Sequence, residues 1–191
     1  MRTIVIVGVG ALGSHVVQFL RNVDAQLRCV DFDRVEQRNV MAQFHGKPSV
    51  GKAKVQGIQQ TMNFLFARKV EVVPHKLVEN NAKEVLGSAD LVIDCLDNGD
   101  GRRVIQRFVR AAHVPCLHGA LAPNGTFGSI LWDEHFTVDD ETGNGKTCED
   151  GDHLPFIVLV SAYLAQSAQG FMKDGRKEGF NVFPGGVVRI S

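Results

Sequence analysis

The apolar positions of this chain alternate between short β-type runs and stretches of helical spacing. "TIVIV" at 3–7 is a continuous β-branched run suited to a strand buried on both faces of a parallel sheet. Behind it Val16, Phe19 and Leu20 recur at helical spacing. A second strand, "QLRCVDF", ends in acids, the polar stretch "DRVEQRNVMAQFHGKPS" follows, and a helix is predicted over about 52–65. "KVEVVPH" predicts a third strand, "NAKEVLG" a short helix, "ADLVIDCLD" a fourth strand, "RRVIQRFVRAAH" a helix and "VPCLHGA" a fifth strand. Strands alternating with helices imply right-handed crossovers. The expected fold class is therefore α/β, Rossmann-like, with a mostly parallel doubly wound sheet. After Ala120 the pattern changes. "GTFGSILW" predicts a strand of an antiparallel C-terminal extension, and "NVFPGGVVRIS" a turn and a last strand. Between them "LPFIVLVSAYLAQSAQGFM" reads as a helix, apolar on nearly every side of its first half, which implies deep burial or a subunit interface.

At 191 residues and 44% hydrophobic content the chain suits one core, so a single domain over 1–191 is expected. The formal net charge is zero, which gives no support to a nucleic-acid or membrane-surface partner. The balance is uneven along the chain. Residues 133–152 carry Asp133, Glu134, Asp139, Asp140, Glu141, Glu149, Asp150 and Asp152 against Lys146 alone, and with Gly143 and Gly145 they read as a mobile loop, extending over about 133–153. Cys29, Cys95, Cys116 and Cys148 show no C-x-x-C spacing, so neither a structural zinc nor a disulfide framework is expected, and a reducing cytoplasm is the natural setting. No leader-like start and no uninterrupted apolar run long enough for a membrane span is evident.

Gly8, Gly10 and Gly13 form a G-x-G-x-x-G turn around Ala11 and Leu12, with a strand before it and a helix after it. Such a turn brings backbone close to phosphates and aims a helix N-terminus at negative charge. Asp31, ending the second strand, stands where these folds place an acid for a ribose hydroxyl. Taken alone the pattern favours a dinucleotide such as NAD. Its surroundings favour ATP: Asp31 and Asp33 together, an amide-rich stretch, Lys52 and Lys54 at a helix start, and Asp94, Leu96, Asp97 and Asn98 at the carboxyl edge of the sheet. Hydride transfer has little use for lysines and carboxylates around a phosphate chain, whereas nucleotidyl transfer uses both, the carboxylate as a Mg²⁺ ligand.

The succession "GVGALGS", "DFDRVEQRNVMAQ", "VGKAKV", "DCLDNGDGRR" and "VPCLHGA" resembles the adenylation domain of the ubiquitin-activating superfamily, in particular its ThiF, MoeB and HesA-like members, from Ile4 to about Gly175. The resemblance implies an enzyme that uses Mg-ATP to convert the C-terminal carboxylate of a small ubiquitin-like or sulfur-carrier protein into an acyl-adenylate, releasing pyrophosphate. It implies that Asp33 holds the ATP ribose, Asn39 and Gln43 line the nucleotide site, Lys54 contacts the phosphates, Asp97 organises Mg²⁺, and Asn98 and Arg102 are mainly structural. A homodimer, or a heteromer with a related subunit, is the implied assembly.

Two departures accompany it. Ala42 stands where relatives carry an arginine, and the first strand starts at once where they carry a helix bearing another. The alternatives are therefore an ATP-binding, catalytically weak partner subunit, or an NAD-dependent dehydrogenase resting on the glycine turn and Asp31. Cys148, just before the long helix, matches the position of a loop cysteine in ThiF-like proteins and is a candidate acyl or sulfur acceptor, against the surrounding acids. Cys29, Cys95 and Cys116 read as core residues, and Phe19, Phe64, Phe66, Phe108, Phe156 and Phe171 as core or interface. His113, His118, His135 and His153 read as surface or loop residues, and Arg107 and Arg110 as solvated.

Overall fold

The computed structural model describes residues 1–138 and 151–190. Strand β1 (Thr3–Val7) leads into α1 (Ala11–Phe19), and β2 (Gln26–Val30) into two short 3-10 turns and α2 (Lys54–Phe66). Then come β3 (Glu71–Val73), α3 (Glu79–Leu86), β4 (Leu91–Asp94), α4 (Gly99–Ala112), β5 (Cys116–Leu121) and β6 (Gly128–Trp132). Helix α5 (Leu154–Asp174) and the hairpin of β7 (Gly179–Phe183) and β8 (Gly186–Ile190) follow. All eight strands form one sheet in the order β3-β2-β1-β4-β5-β6-β7-β8. The first five are mutually parallel, and β6, β7 and β8 add in antiparallel fashion. The Rossmann-like α/β reading with an antiparallel C-terminal extension holds. The extension is richer than a turn and a last strand, because Phe180 and Val182 are buried and Phe180 meets Tyr163 of α5 at 4.9 Å between ring centroids, which makes β7 a core strand.

The "TIVIV" run is buried because both sides of the sheet are covered. Ile4 and Ile6 join a core with Leu27, Leu91, Ile93 and Leu117 beneath α1, α2 and α5, while Val5 and Val7 join Val30, Val92 and Cys116 beneath α3 and α4. Helix α5 is long and apolar enough by length and composition to cross a membrane. In this fold Phe156, Ile157, Val160, Leu164, Ala168 and Met172 on its inner side pack into the first of these cores.

Cys29 and Cys116 are core residues on opposite faces of the sheet, as expected, and Cys95 is partly buried against the Cys29 side. Phe156 is buried, and Phe19, Phe108 and Phe171 pack against the cores. Phe64 is 86% exposed and is no core residue, because it lies on the outward side of α2, which buries Val55, Ile58 and Met62 instead. Phe66 sits at the surface with the Arg21 guanidinium 4.9 Å from its ring. Cys148 and the acidic residues of 139–150 lie outside the described residues.

Candidate functional site

Strand order reverses between β1 and β4, since β2 and β3 extend the sheet one way and β5 the other. In open α/β sheets that reversal opens a crevice beyond the carboxyl ends of the strands. The glycine turn after β1 and the Cys95–Asn98 turn after β4 meet there. Gly8 has φ +86°, and a Cβ on it would lie 2.9 Å from the Cys95 carbonyl oxygen, so a side chain is excluded by both backbone and neighbour. At Gly13 a Cβ would fall 1.8 Å from the Gly8 oxygen, so only glycine lets α1 start this close to the turn. At Gly10 a Cβ would meet only the Gln43 Nε2, at 4.0 Å. Gly10 is thus the one of the three whose missing side chain leaves room in front of the α1 N-terminus instead of serving packing, which is what close approach of a phosphate needs.

The polar segment after β2 wraps this helix start. Both Asp31 oxygens are used by backbone, accepting the Val9 N–H at 2.9 Å and the Asp33 N–H at 2.8 Å. Burial raises the Asp31 pKa against the opposing pull of Lys54. Asp31 therefore shapes the glycine turn, and the acid presented at the rim is Asp33, half exposed and paired to the Lys54 Nζ at 2.9 Å. Asn39 is buried, and its Oδ1 accepts the Glu36 N–H at 2.8 Å. Ser14 Oγ accepts the Phe44 N–H, His15 donates to the Ala42 carbonyl, and His45 Nε2 donates to the Val9 carbonyl at 3.0 Å. Burial keeps His45 neutral, with its pKa lowered to about 4. Ala42 is fully buried, so the position at which the family resemblance implies an arginine faces the interior here.

On the other wall, Leu96 is partly buried, Asp97 is exposed, and Asn98 caps α4 by accepting the Gly101 N–H at 2.9 Å. Arg102 is buried and reaches Asp94, the Leu96 carbonyl and the Gly119 carbonyl, in keeping with a structural role. Among the described residues no group of three or more metal-binding side chains occurs. Mg²⁺ bound to a nucleotide needs only one or two protein carboxylates, with phosphates and water completing its shell, and the exposed Asp97 fits that requirement.

His118 is corrected from surface to core. It is fully buried on β5 between Asp94 and Asp133. Arg110 is not simply solvated either: its Nε donates to Asp133 at 2.7 Å, and Arg107 pairs with Glu79. His113 and His135 are exposed as expected. The signal that could have found the buried cluster was a histidine and an aspartate at apolar-strand positions, which a strand covered on both faces tolerates only with partners.

Residues 2–165 match the ThiF family. The chain belongs to the ThiF family. Relatives of this ThiF chain include the SAMP-activating enzyme E1 of Haloferax volcanii, 32% identical over 62% of this chain and 45% of that protein. The adenylyltransferase and sulfurtransferase UBA4 of Lodderomyces elongisporus is 37% identical over 85% of this chain and 38% of its own length. The sulfur carrier protein adenylyltransferase of Thermus thermophilus is 30% identical over 76% and 54%. The ThiF chain thus spans between about two-fifths and one-half of these relatives. A crystal structure of E. coli MccB with ATP shares the fold, with a TM-score of 0.77 at 17% identity over the whole of this chain and 63% of that one.

Proposed function

We propose that this chain binds Mg-ATP in the crevice between the β1 and β4 turns and adenylates the C-terminal carboxylate of a small ubiquitin-like or sulfur-carrier protein, releasing pyrophosphate. The observation that carries this is the convergence of three features on one crevice: the room before Gly10, the rim pair Asp33–Lys54, and the exposed Asp97 on the facing turn. Relatives named for adenylating sulfur carriers and a structurally similar protein crystallised with ATP support the same reading.

In this reading the glycine-turn amides and Lys54 bind the triphosphate, Asp33 turns from Lys54 to the ribose, and Asn39, Gln43, Ala11, Leu12 and Leu96 bound the nucleotide. Asp97 would hold Mg²⁺, which when bound supplies positive charge between two anionic reactants. The nucleophile is already a carboxylate, so no general base is required and positioning and electrostatics supply the rate. Cys148 remains the proposed acceptor of the activated acyl group, its thiolate displacing AMP to form a thioester, and a homodimer or a related subunit the proposed assembly.

A second reading, an ATP-holding subunit that needs a complete partner chain, is favoured by one observation: the buried Ala42 places no cation toward the phosphates. ATP–pyrophosphate exchange with radiolabelled pyrophosphate and a Gly-Gly-ended carrier separates the two. Exchange by this chain alone, abolished by Asp97→Ala with no change in melting temperature, is the expected result. ATP binding without exchange, with exchange restored by a second ubiquitin-activating-type chain, selects the second reading, and the absence of any Mg-ATP binding overturns both.

A further inference from the structure

A buried charge cluster lies directly beneath the β4 turn. His118 places Nδ1 2.8 Å from Asp94 Oδ2 and Nε2 3.1 Å from Asp133 Oδ1. An ionised carboxylate only accepts hydrogen bonds, and a neutral imidazole carries a single N–H. A neutral ring would therefore aim a lone pair at one of the two acids, so the geometry requires the imidazolium, which donates to both. Burial opposes that charge, but the hydrogen bonds to the Asp133 and Asp94 carboxylates outweigh it and hold the His118 pKa well above the usual imidazole range. Asp133 is itself anchored to α4 by Arg110 at 2.7 Å and Gln106 at 3.0 Å, and Phe136 stacks on the imidazolium at 4.0 Å.

The cluster grips the two successive peptide groups that flank one residue of the crevice wall, Leu96. Asp94 Oδ1 accepts the Leu96 N–H at 3.0 Å, and Arg102, bonded to Asp94 Oδ2 at 3.2 Å, donates to the Leu96 carbonyl. Asp94 is wholly buried, and Arg102 divides its donors among that carboxylate and two carbonyls. His118 is the second cation on Asp94 and the link from it to the α4 anchor. The residue after Leu96 is Asp97.

We propose that His118 is a positioning residue for the adenylation site, bracing Asp94 so that the Leu96 backbone, held at its N–H and at its carbonyl, fixes where Asp97 presents its carboxylate to metal-bound triphosphate. The proposal rests on the reading of Asp97 given above. A neutral side chain at position 118 can serve Asp94 or Asp133 with a short donor but cannot charge-balance both, so the turn loosens without losing any group that touches the nucleotide.

The test is calorimetric, on the full chain, with ATP titrated once in excess Mg²⁺ and once in EDTA. The ratio of the two affinities isolates the contribution of the metal. Asp97→Ala should bring that ratio close to one. His118→Gln should lower the ratio about tenfold, the range found when partners behind a metal ligand are removed, while ATP affinity in EDTA stays within about twofold of wild type. Asp133→Asn, which keeps the ring in place but removes one of its two countercharges, should lower the ratio less, and it serves if His118→Gln does not fold. A ratio unchanged in both variants, in a background where Asp97→Ala abolishes it, overturns the role of His118 and leaves the adenylation reading standing. So does a parallel fall of both affinities, which marks a general loss of structure. A wild-type ratio that Asp97→Ala does not alter overturns the adenylation reading itself.

Discussion

Alanine at Gly13 should destabilise the fold, whereas alanine at Gly10 should leave stability nearly unchanged and weaken nucleotide binding. At Gly13 the new Cβ would lie 1.8 Å from the Gly8 oxygen and 3.2 Å from the Cys95 Cβ. A relaxed C···O contact is about 3.3 Å, so α1 must retreat from the turn by roughly 1.5 Å. The elements that would have to give are the buried Gly8 backbone and a helix packed on α5, so the clash cannot be relieved by rotating an exposed side chain. Overpacking of a tight core costs about 1–3 kcal/mol and sometimes more, and about 3 kcal/mol is the appropriate end of that range for a backbone-to-backbone clash. For a chain of this length 1 kcal/mol shifts the melting temperature by about 2–4 °C, so Gly13→Ala should melt about 6–12 °C early. At Gly10 the new methyl meets only the Gln43 amide at 4.0 Å, an ordinary contact. Gly10→Ala should therefore melt within about 2 °C of wild type, as substitutions free of clashes do. It should nevertheless weaken Mg-ATP binding, because the methyl fills the room before the α1 N-terminus. Thermal unfolding with and without Mg-ATP measures both quantities, since a ligand bound only by the native state raises its melting temperature. A Gly13→Ala protein as stable as wild type would refute the packing argument. A Gly10→Ala protein that Mg-ATP stabilises as fully as wild type would refute the assignment of that room to phosphate.

The His45 ring should make stability fall in mild acid. Its folded pKa is lowered by burial to about 4 from 6.5, so between those values the unfolded chain binds the proton and the folded one does not. The stability present above pH 6.5 is then lost as pH falls toward 4, by up to about 3 kcal/mol, and denaturant melts of wild type and His45→Gln across that window should differ in slope. Identical slopes would show that His45 is not the group responsible. Two helix ends offer the opposite test, because Ala67 at φ 51° and His113 at φ 55° adopt the left-handed conformation without being glycine. Ala67→Gly and His113→Gly should each stabilise by about 0.5–1 kcal/mol, read as a higher midpoint in a denaturant melt, and a lower midpoint would mean that the lost side chain outweighs the relieved backbone.

The family and the glycine turn are legible in the chain because both are local. A strand buried on both faces writes a run such as "TIVIV", a phosphate turn demands small residues at fixed offsets, and Gly8, Gly10 and Gly13 stand within one turn of each other. Of the core or interface reading of Phe64 the core alternative fails, because aromatic residues at helical spacing say only that a helix has an apolar side, and Val55, Ile58 and Met62 supply it. The sequence places Asp31 at the end of the predicted second strand, and the fold turns both its oxygens onto the Val9 and Asp33 amides. No offset along the sequence states which way that carboxylate turns.

By itself the sequence determined the order of elements, the place of the glycine turn and the family, since period and short-range spacing carry that information. Only the tertiary structure decided that Ala42 faces the interior, that Asp33 and Lys54 meet across 21 positions, and that His118 lies between acids 24 and 15 residues away. The physical reason is that hydrogen bonds and ion pairs act through distances of a few ångströms in space, and the sheet brings together β4, β5 and the turn after β6, whose residues no sequence period connects.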